Sequence, residues 1–252
     1  MQYRILTDTV LPLSGAAFSP QTFAPVLPRL SPNAPLCPDI ESYRLACRSG
    51  AFNIVLTAPA QLSGSYATAR AALCGRQDAV VLDSRTFGAG QLLLASYAAA
   101  HAKQDRFSAR ILRDIQEARK SVRCFFVAPD GNAAVLAGSQ RLSVVLPFRF
   151  PVYTVGREGE IRFFRTILAR SPAEALAAVV CLYLKRGMSA AIAHDRCEKE
   201  ANRLFSHLSA ACGSIQCGES IRTDLPFGRG GFLSAAFFQS EDSFYAYGRP
   251  FC

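Results

Sequence analysis

The chain has 252 residues, half of them hydrophobic, and carries a net charge of +9, held mostly by arginine. That length can bury a core without disulfide or metal staples, as one large domain or two small ones. No apolar run reaches the roughly eighteen residues that cross a bilayer, the start Met1-Gln2-Tyr3-Arg4 has no export-signal pattern, and the arginines form neither a block nor a helix-turn-helix, so a cytoplasmic protein with no stable membrane insertion and no nucleic-acid partner is expected.

Tyr3-Arg4-Ile5-Leu6 reads as a first strand ending at Thr7-Asp8-Thr9. Pro12, Pro20, Pro25, Pro28, Pro32, Pro35 and Pro38 then forbid a long helix and predict an irregular connection over 11 to 38. Asp39 to Arg48 reads as a short helix stopped at Gly50. Phe52 to Thr57 is the next strand; it leads through Pro59 into Leu62-Ser63-Gly64-Ser65-Tyr66 and a helix from Ser65 to Leu73 that closes at Gly75. Ala79-Val80-Val81-Leu82 is a strand that stops at Asp83-Ser84, before helices over about 90 to 103 and 107 to 120, the latter with Ile111, Ile115 and Ala118 at helical spacing.

From Val122 the pattern restarts with Cys124-Phe125-Phe126-Val127, and strands are predicted at 151 to 155, 160 to 165, 189 to 193 and 214 to 217. Helices are predicted at 172 to 186 and 195 to 212, the first announced by Ser171-Pro172-Ala173-Glu174: a capping serine, a proline at the first position and an acid in the first turn. Phe232 to Phe238 and Phe244 to Tyr247 read as a closing hairpin around Glu241-Asp242-Ser243. Strands alternating with helices predict the α/β class: an N-terminal domain over 1–120 and a C-terminal one over 121–252, with predominantly parallel sheets flanked by helices.

Small ligands of such sheets bind beyond the carboxyl ends of the strands. Three of the strands end there in polar residues: Thr7-Asp8-Thr9, Thr57 and Asp83-Ser84. The neighbouring Ser63-Gly64-Ser65 suits a carboxylate, with two hydroxyls beside the free N–H groups of a helix start and a glycine that lets backbone come close. Plain helix capping explains a lone serine there as well. Asp8 and Asp83 are expected to hold loops rather than perform chemistry. The nine cysteines have no zinc-ligand spacing, so buried reduced thiols and no metal are expected.

The order Thr7-Asp8-Thr9, Leu62-Ser63-Gly64-Ser65-Tyr66, Leu82-Asp83-Ser84 and Gly138-Ser139-Gln140-Arg141-Leu142-Ser143 resembles the DegV family of bacterial fatty-acid-binding proteins. Leu146-Pro147-Phe148-Arg149-Phe150-Pro151, the Gly156 to Gly159 turn, Arg170 before a helix, Ala193-His194-Asp195 and Gly228-Arg229-Gly230-Gly231 continue the likeness in order. The resemblance implies two α/β domains with a long-chain fatty acid in a tunnel between them, no cofactor besides that ligand, and a non-enzymatic role as the binding subunit that presents the carboxylate to a fatty acid kinase partner. It makes Ser63 the carboxylate donor, with Gly64 shaping the turn, and aligns Arg141 and Arg170 with family arginines at the mouth. Leu36, Phe87, Leu92, Phe148, Phe150 and Phe232 are candidates to line the tunnel, ordinary core packing being the alternative for each.

Two departures bear on the head group. Pro35-Leu36-Cys37-Pro38 stands where the family has Thr-Ser-Gln-Pro, and Pro226 where it has a histidine, so two donors are replaced by groups that cannot donate, and Arg229 is the candidate to compensate. The implied ligand is therefore a fatty acid or a similar amphiphile. Competing readings are a protein-interaction module that has lost the lipid site, a serine hydrolase built from Ser63, Asp83 and His101, His194 or His207, and nucleotide binding at Gly88-Ala89-Gly90 or Gly228-Arg229-Gly230-Gly231. The hydrolase reading lacks Gly-x-Ser-x-Gly, and neither glycine run carries the lysine of a phosphate loop.

Overall fold

The computed structural model describes residues 2–13, 22–27, 37–102, 108–128, 148–220 and 231–239. Two sheets carry the fold. The first consists of β3 (Phe23–Pro25), β1 (Tyr3–Thr7), β4 (Phe52–Thr57) and β5 (Ala79–Asp83), in that order and all parallel. The second runs β2 (Val10–Pro12), β10 (Ser214–Ser220), β9 (Ser189–Asp195), β11 (Phe232–Phe238), β6 (Val122–Val127), β7 (Arg149–Val155) and β8 (Ile161–Leu168). It is mixed: β9 and β10 are parallel, and the other neighbours are antiparallel.

Six helices are described: α1 (Ile40–Ala46), α2 (Ser65–Ala72), α3 (Ala89–Ala102), α4 (Ser108–Ser121), α5 (Pro172–Val180) and α6 (Glu198–Ser209). Strand alternation assigns the faces. Leu6, Val55 and Val81 face α1 and α2, packing with Tyr43, Ala69 and Leu73, whereas Ile5, Ile54 and Leu56 face α3. In the second sheet Phe126, Ala191, Ala193 and Ala236 face α3, while Phe125, Ile192, Ala235 and Phe237 face α5 and α6. The layers thus run helices, sheet, α3, sheet, helices. A helix between two sheets must be apolar all round, and Ala89 to Ala99 of α3 are buried without a break.

The local signals explain the boundaries. Asp39 caps α1 by accepting from Ser42 N at 2.7 Å, and Ser171 caps α5 by accepting from Glu174 N at 3.2 Å. The α5 helix stops at Val180, short of 186, because the chain tightens there: Leu182 N donates to Val179 O and Tyr183 N to Val180 O, which tucks Leu184 into the core. The start of α6 lies at Glu198 because β9 continues to Asp195 and Arg196 turns the chain at φ 53°.

Three features depart from the sequence expectation. The parallel order expected of both sheets holds in the first, whereas the second is antiparallel at every pairing except β9 with β10. Val10–Pro12, inside the expected first unit, adds to the second sheet by pairing antiparallel with β10. Strand β11 has β9 on one edge and β6 on the other, so Phe232 to Phe238 is a central strand with no edge left for a hairpin arm; residues 244 to 247 lie outside the described ones. The thiols also vary in burial. Cys47 and Cys124 are buried, and desolvation pushes them up to about 11 and about 12, but Cys74 and Cys181 are exposed.

Phe87, fully buried at the foot of α3, meets Phe126 edge-on at 5.1 Å and Phe232 at 5.8 Å. Phe87→Ala is expected to cost about 3–5 kcal/mol, read as a lowered midpoint in urea unfolding followed by circular dichroism; an unchanged midpoint would show that the second sheet does not lean on this ring.

Candidate functional site

The carboxyl ends of β1, β4 and β5 lie side by side, with Thr7 paired to Leu56 and Thr57 to Asp83. The polar residues expected at one sheet edge are therefore together, but most are engaged in holding turns. Thr7 Oγ1 donates to Val10 O at 2.7 Å, Ser84 Oγ to Thr86 O at 2.6 Å, and Asp83 Oδ1 accepts from Arg85 N at 2.8 Å. Asp83 acts as the loop holder the sequence implied.

Asp8 does more. Its fully buried carboxylate accepts from Ala58 N at 2.8 Å, Gln91 Nε2 at 3.0 Å and Tyr43 OH at 3.0 Å, and the Ser65 hydroxyl also bonds it. No lysine or arginine among the described residues pairs with it, and desolvation raises its carboxyl above the ordinary value. Gln91 is saturated: its other donor contact is Leu56 O at 3.1 Å, and its oxygen accepts from Thr9 N and Thr9 Oγ1. Burial raises the Tyr43 phenol as well, with the Asp8 charge beside it.

Ser63 and Ser65 stand at the outer end of this network. Ser63 Oγ accepts from Ser65 N at 3.1 Å and donates to Ser65 Oγ at 2.9 Å, and the Cys37 thiol lies 3.2 Å from Ser65 Oγ. Ser63 is buried and Gly64 exposed. The helix capping alternative is only partly met, since the Ser63 bond reaches the first helical N–H and Gly64, at the cap position, offers no side chain. The glycine is not needed for backbone reasons: its φ is −71°, and an added Cβ would meet nothing within 4 Å. Without a side chain it leaves open space at the turn.

The other candidate residues do not gather here. Arg170 is exposed; its backbone N donates to Glu174 Oε2 at 2.9 Å at the start of α5, on the face of the second sheet turned away from α3. Arg141, Arg229, Pro35, Leu36 and Pro226 lie outside the described residues. Of the lining candidates, Phe87, Leu92 and Phe232 belong to the core around α3, Phe150 packs with the α5 and α6 side, and Phe148 is exposed at φ 61°. A triad is not assembled. His101 is buried 3.7 Å from Asp114 and packs on Tyr97, His207 is exposed on α6, and alternation along β9 turns His194 toward α5 and α6, with Nδ1 lacking a partner among the described residues. Gly88 and Gly90 serve packing: a Cβ on Gly88 would lie 2.8 Å from Ser234 Oγ, and one on Gly90 would strike Thr86. Among the described residues no cluster of three His, Cys, Asp or Glu could hold a metal, and no helix is long and apolar enough to cross a membrane.

Comparison with solved structures decides the fold. A DegV family protein from Ruminococcus gnavus, solved with vaccenic acid, superposes with a TM-score of 0.70 at 20% identity, over 93% of this chain and 99% of that one. This chain has the DegV fold. A DegV family protein from Eubacterium eligens loaded with heptadecanoic acid gives 0.70 at 16% identity, over 94% and 99% of the two chains. The fatty acid kinase B3 protein of Streptococcus pneumoniae, loaded with linoleic acid, gives 0.68 at 19% identity, over 95% and 100%. No family model and no curated protein matches the sequence. The Cys37 contact sets that residue beside the serine turn, while Pro35 and Leu36 lie outside the described residues. Sequence reasoning missed Tyr43, Gln91 and Cys37, because each reaches the site from a distant element.

The network has a pH signature. Asp8 titrates above its ordinary value of 3.8 in the folded chain, so its contribution to stability is whole below 3.8 and is lost as pH rises toward the folded value. Measured by urea unfolding, wild type should lose stability relative to Asp8→Asn across the mildly acidic range and hold a constant offset above it; a difference flat throughout, or of opposite slope, would contradict the assignment. Gly64→Ala should keep stability within about 1 kcal/mol of wild type, and a clear drop in Tm would mean that the turn needs glycine after all.

Proposed function

We propose that the protein binds a long-chain fatty acid or a similar amphiphile, with its polar head at the Ser63-Gly64-Ser65 turn, and acts as a binder rather than a catalyst. The observation that carries the reading is the buried serine turn at the start of α2, beyond the carboxyl end of β4, in a chain whose fold matches lipid-loaded DegV structures along nearly its whole length. A carboxylate taken out of water needs charge-assisted donors. The Ser63 hydroxyl, once its proton turns from Ser65 Oγ to the ligand, and the N–H groups of the first turn of α2 beyond Ser65 are such donors, and Gly64 leaves the approach open. An alkyl tail supplies the rest of the affinity, about 0.8 kcal/mol per buried methylene.

Arg141 and Arg229 enter this proposal on the family resemblance alone. Arg170 enters it with less support, because its helix packs on the far side of the second sheet. Presentation of the carboxylate to a fatty acid kinase is the finer form of the proposal; its support is the likeness to the fatty acid kinase B3 protein.

Native mass spectrometry with added palmitate or oleate tests the reading. Wild type should take up one lipid, and Ser63→Ala should bind it about ten- to a hundredfold more weakly, the worth of one hydrogen bond to a charged group. Wild type that takes up neither lipid, or Ser63→Ala that binds as tightly, would overturn the head-group assignment.

A further inference from the structure

The arginines that look scattered in the sequence converge in the fold. Arg85, Arg119, Lys120, Arg123 and Arg157 line one cleft of about 380 Å3, together with Thr86, Val122, Cys124, Val155, Gly156 and Glu158. The elements responsible are the β5–α3 turn, the end of α4, the start of β6 and the β7–β8 turn. Five cationic side chains face a single carboxylate.

That carboxylate is already engaged: Glu158 pairs with Arg85 at 2.9 Å. Lys120 pairs with Glu117 at 2.7 Å, a contact exposed on both sides and easily screened. The remaining three form no ion pair among the described residues, although the Asp83 and Glu158 carboxylates act on Arg119 from farther off. Arg119 donates to the neutral Asp83 carbonyl at 2.6 Å, Arg123 to the Gln239 side chain, and Arg157 is exposed with no ion pair. Burial first, and then the neighbouring Arg85, push the Arg119 guanidinium down from its ordinary value against the opposing pull of Asp83 and Glu158. Arg85 itself is held at φ 52°, a left-handed backbone uncommon for arginine.

A concave wall of one charge sign concentrates counter-ions, and guanidinium groups grip phosphate oxygens in pairs. A single carboxylate would leave most of this charge uncompensated, whereas linked phosphates present several oxygens and more than one negative charge. We propose that this cleft binds a multiply charged phosphate ligand, free or carried on a lipid head group. The site is separate from the serine turn, and the segments that carry the two touch. A Cβ on Gly159 of the β7–β8 turn would lie 2.6 Å from Pro59, whose carbonyl accepts from Ser63 N at 3.0 Å, and Tyr66 of α2 lies within the electrostatic reach of Arg119. The proposal does not depend on fatty acid binding.

Calorimetric titration of the full chain with pyrophosphate and with triphosphate in low-salt buffer, beside flotation with phosphatidylglycerol and phosphatidylcholine vesicles, tests it. Wild type should bind pyrophosphate or triphosphate saturably, one per chain, with affinity falling steeply as salt rises. Arg157→Gln and Arg119→Gln should each weaken binding at least about tenfold, while Arg203→Gln on α6, an exposed arginine outside the cleft, should not. Arg157 is exposed, so its variant keeps the fold even if that of Arg119 does not. Retention on phosphatidylglycerol vesicles alone, lost in Arg157→Gln, supports the proposal with a lipid head group as the source of the phosphate. Absence of saturable binding to both polyphosphates and to anionic vesicles, or equal binding by wild type and both cleft variants, overturns it.

Discussion

A carboxylate buried without a cation has to be satisfied entirely by hydrogen-bond donors, and among the described residues those of Asp8 come from four other segments. Asp8 follows β1, Ala58 follows β4, Tyr43 stands on α1, Gln91 on α3 and Ser65 on α2. Removing any one donor would leave charge uncompensated in a low-dielectric setting, which costs more than the bond itself returns. The network therefore fixes where α1, α2 and α3 stand at the carboxyl edge of the first sheet. It also fixes the Ser63 hydroxyl, which is tied to Ser65.

The same edge is braced from the other side by α3. That helix gives its apolar surface to both sheets, and its first turn is locked to the second: Ala89 N donates to Ser234 Oγ at 3.1 Å, and Ser234 Oγ donates to Ala193 O at 3.0 Å. Small residues on the facing strands, Ala191, Ala193, Ala236 and Gly218, let the helix come close; a Cβ on Gly218 would lie 2.9 Å from a Leu92 methyl. The polar network at one end of α3 and its dry packing against two sheets are thus parts of one constraint, and the phosphate cleft lies just outside it, where the β5–α3 turn meets the end of α4.

Much of this was legible in the chain because it rests on local chemistry. The apolar runs of β4 and β5 and the Ser171-Pro172-Ala173-Glu174 start of α5 are written in adjacent residues, and the ordered series of short motifs along the chain resembled the DegV family. What was not legible depends on distant partners. Nothing local in Val10–Pro12 says that it leaves the first sheet for β10. Nothing in Cys37, Tyr43 or Gln91 says that they meet at Ser65 and Asp8. The arginines at 85, 119, 123 and 157 are far enough apart to look dispersed until the β5–α3 and β7–β8 turns meet. Gly64 shows the opposite error: the residue type suggested a backbone need that its ordinary φ does not show.

The central claim is that the serine turn at the head of α2, held by the Asp8 network, receives the polar end of an amphiphile. A crystal structure of the protein purified from bacterial cells and soaked with oleate tests it most directly. Elongated density ending within hydrogen-bond distance of Ser63 Oγ is the predicted result, and a turn in contact only with water and its own neighbours, with side chains filling the space beyond it, would contradict the account.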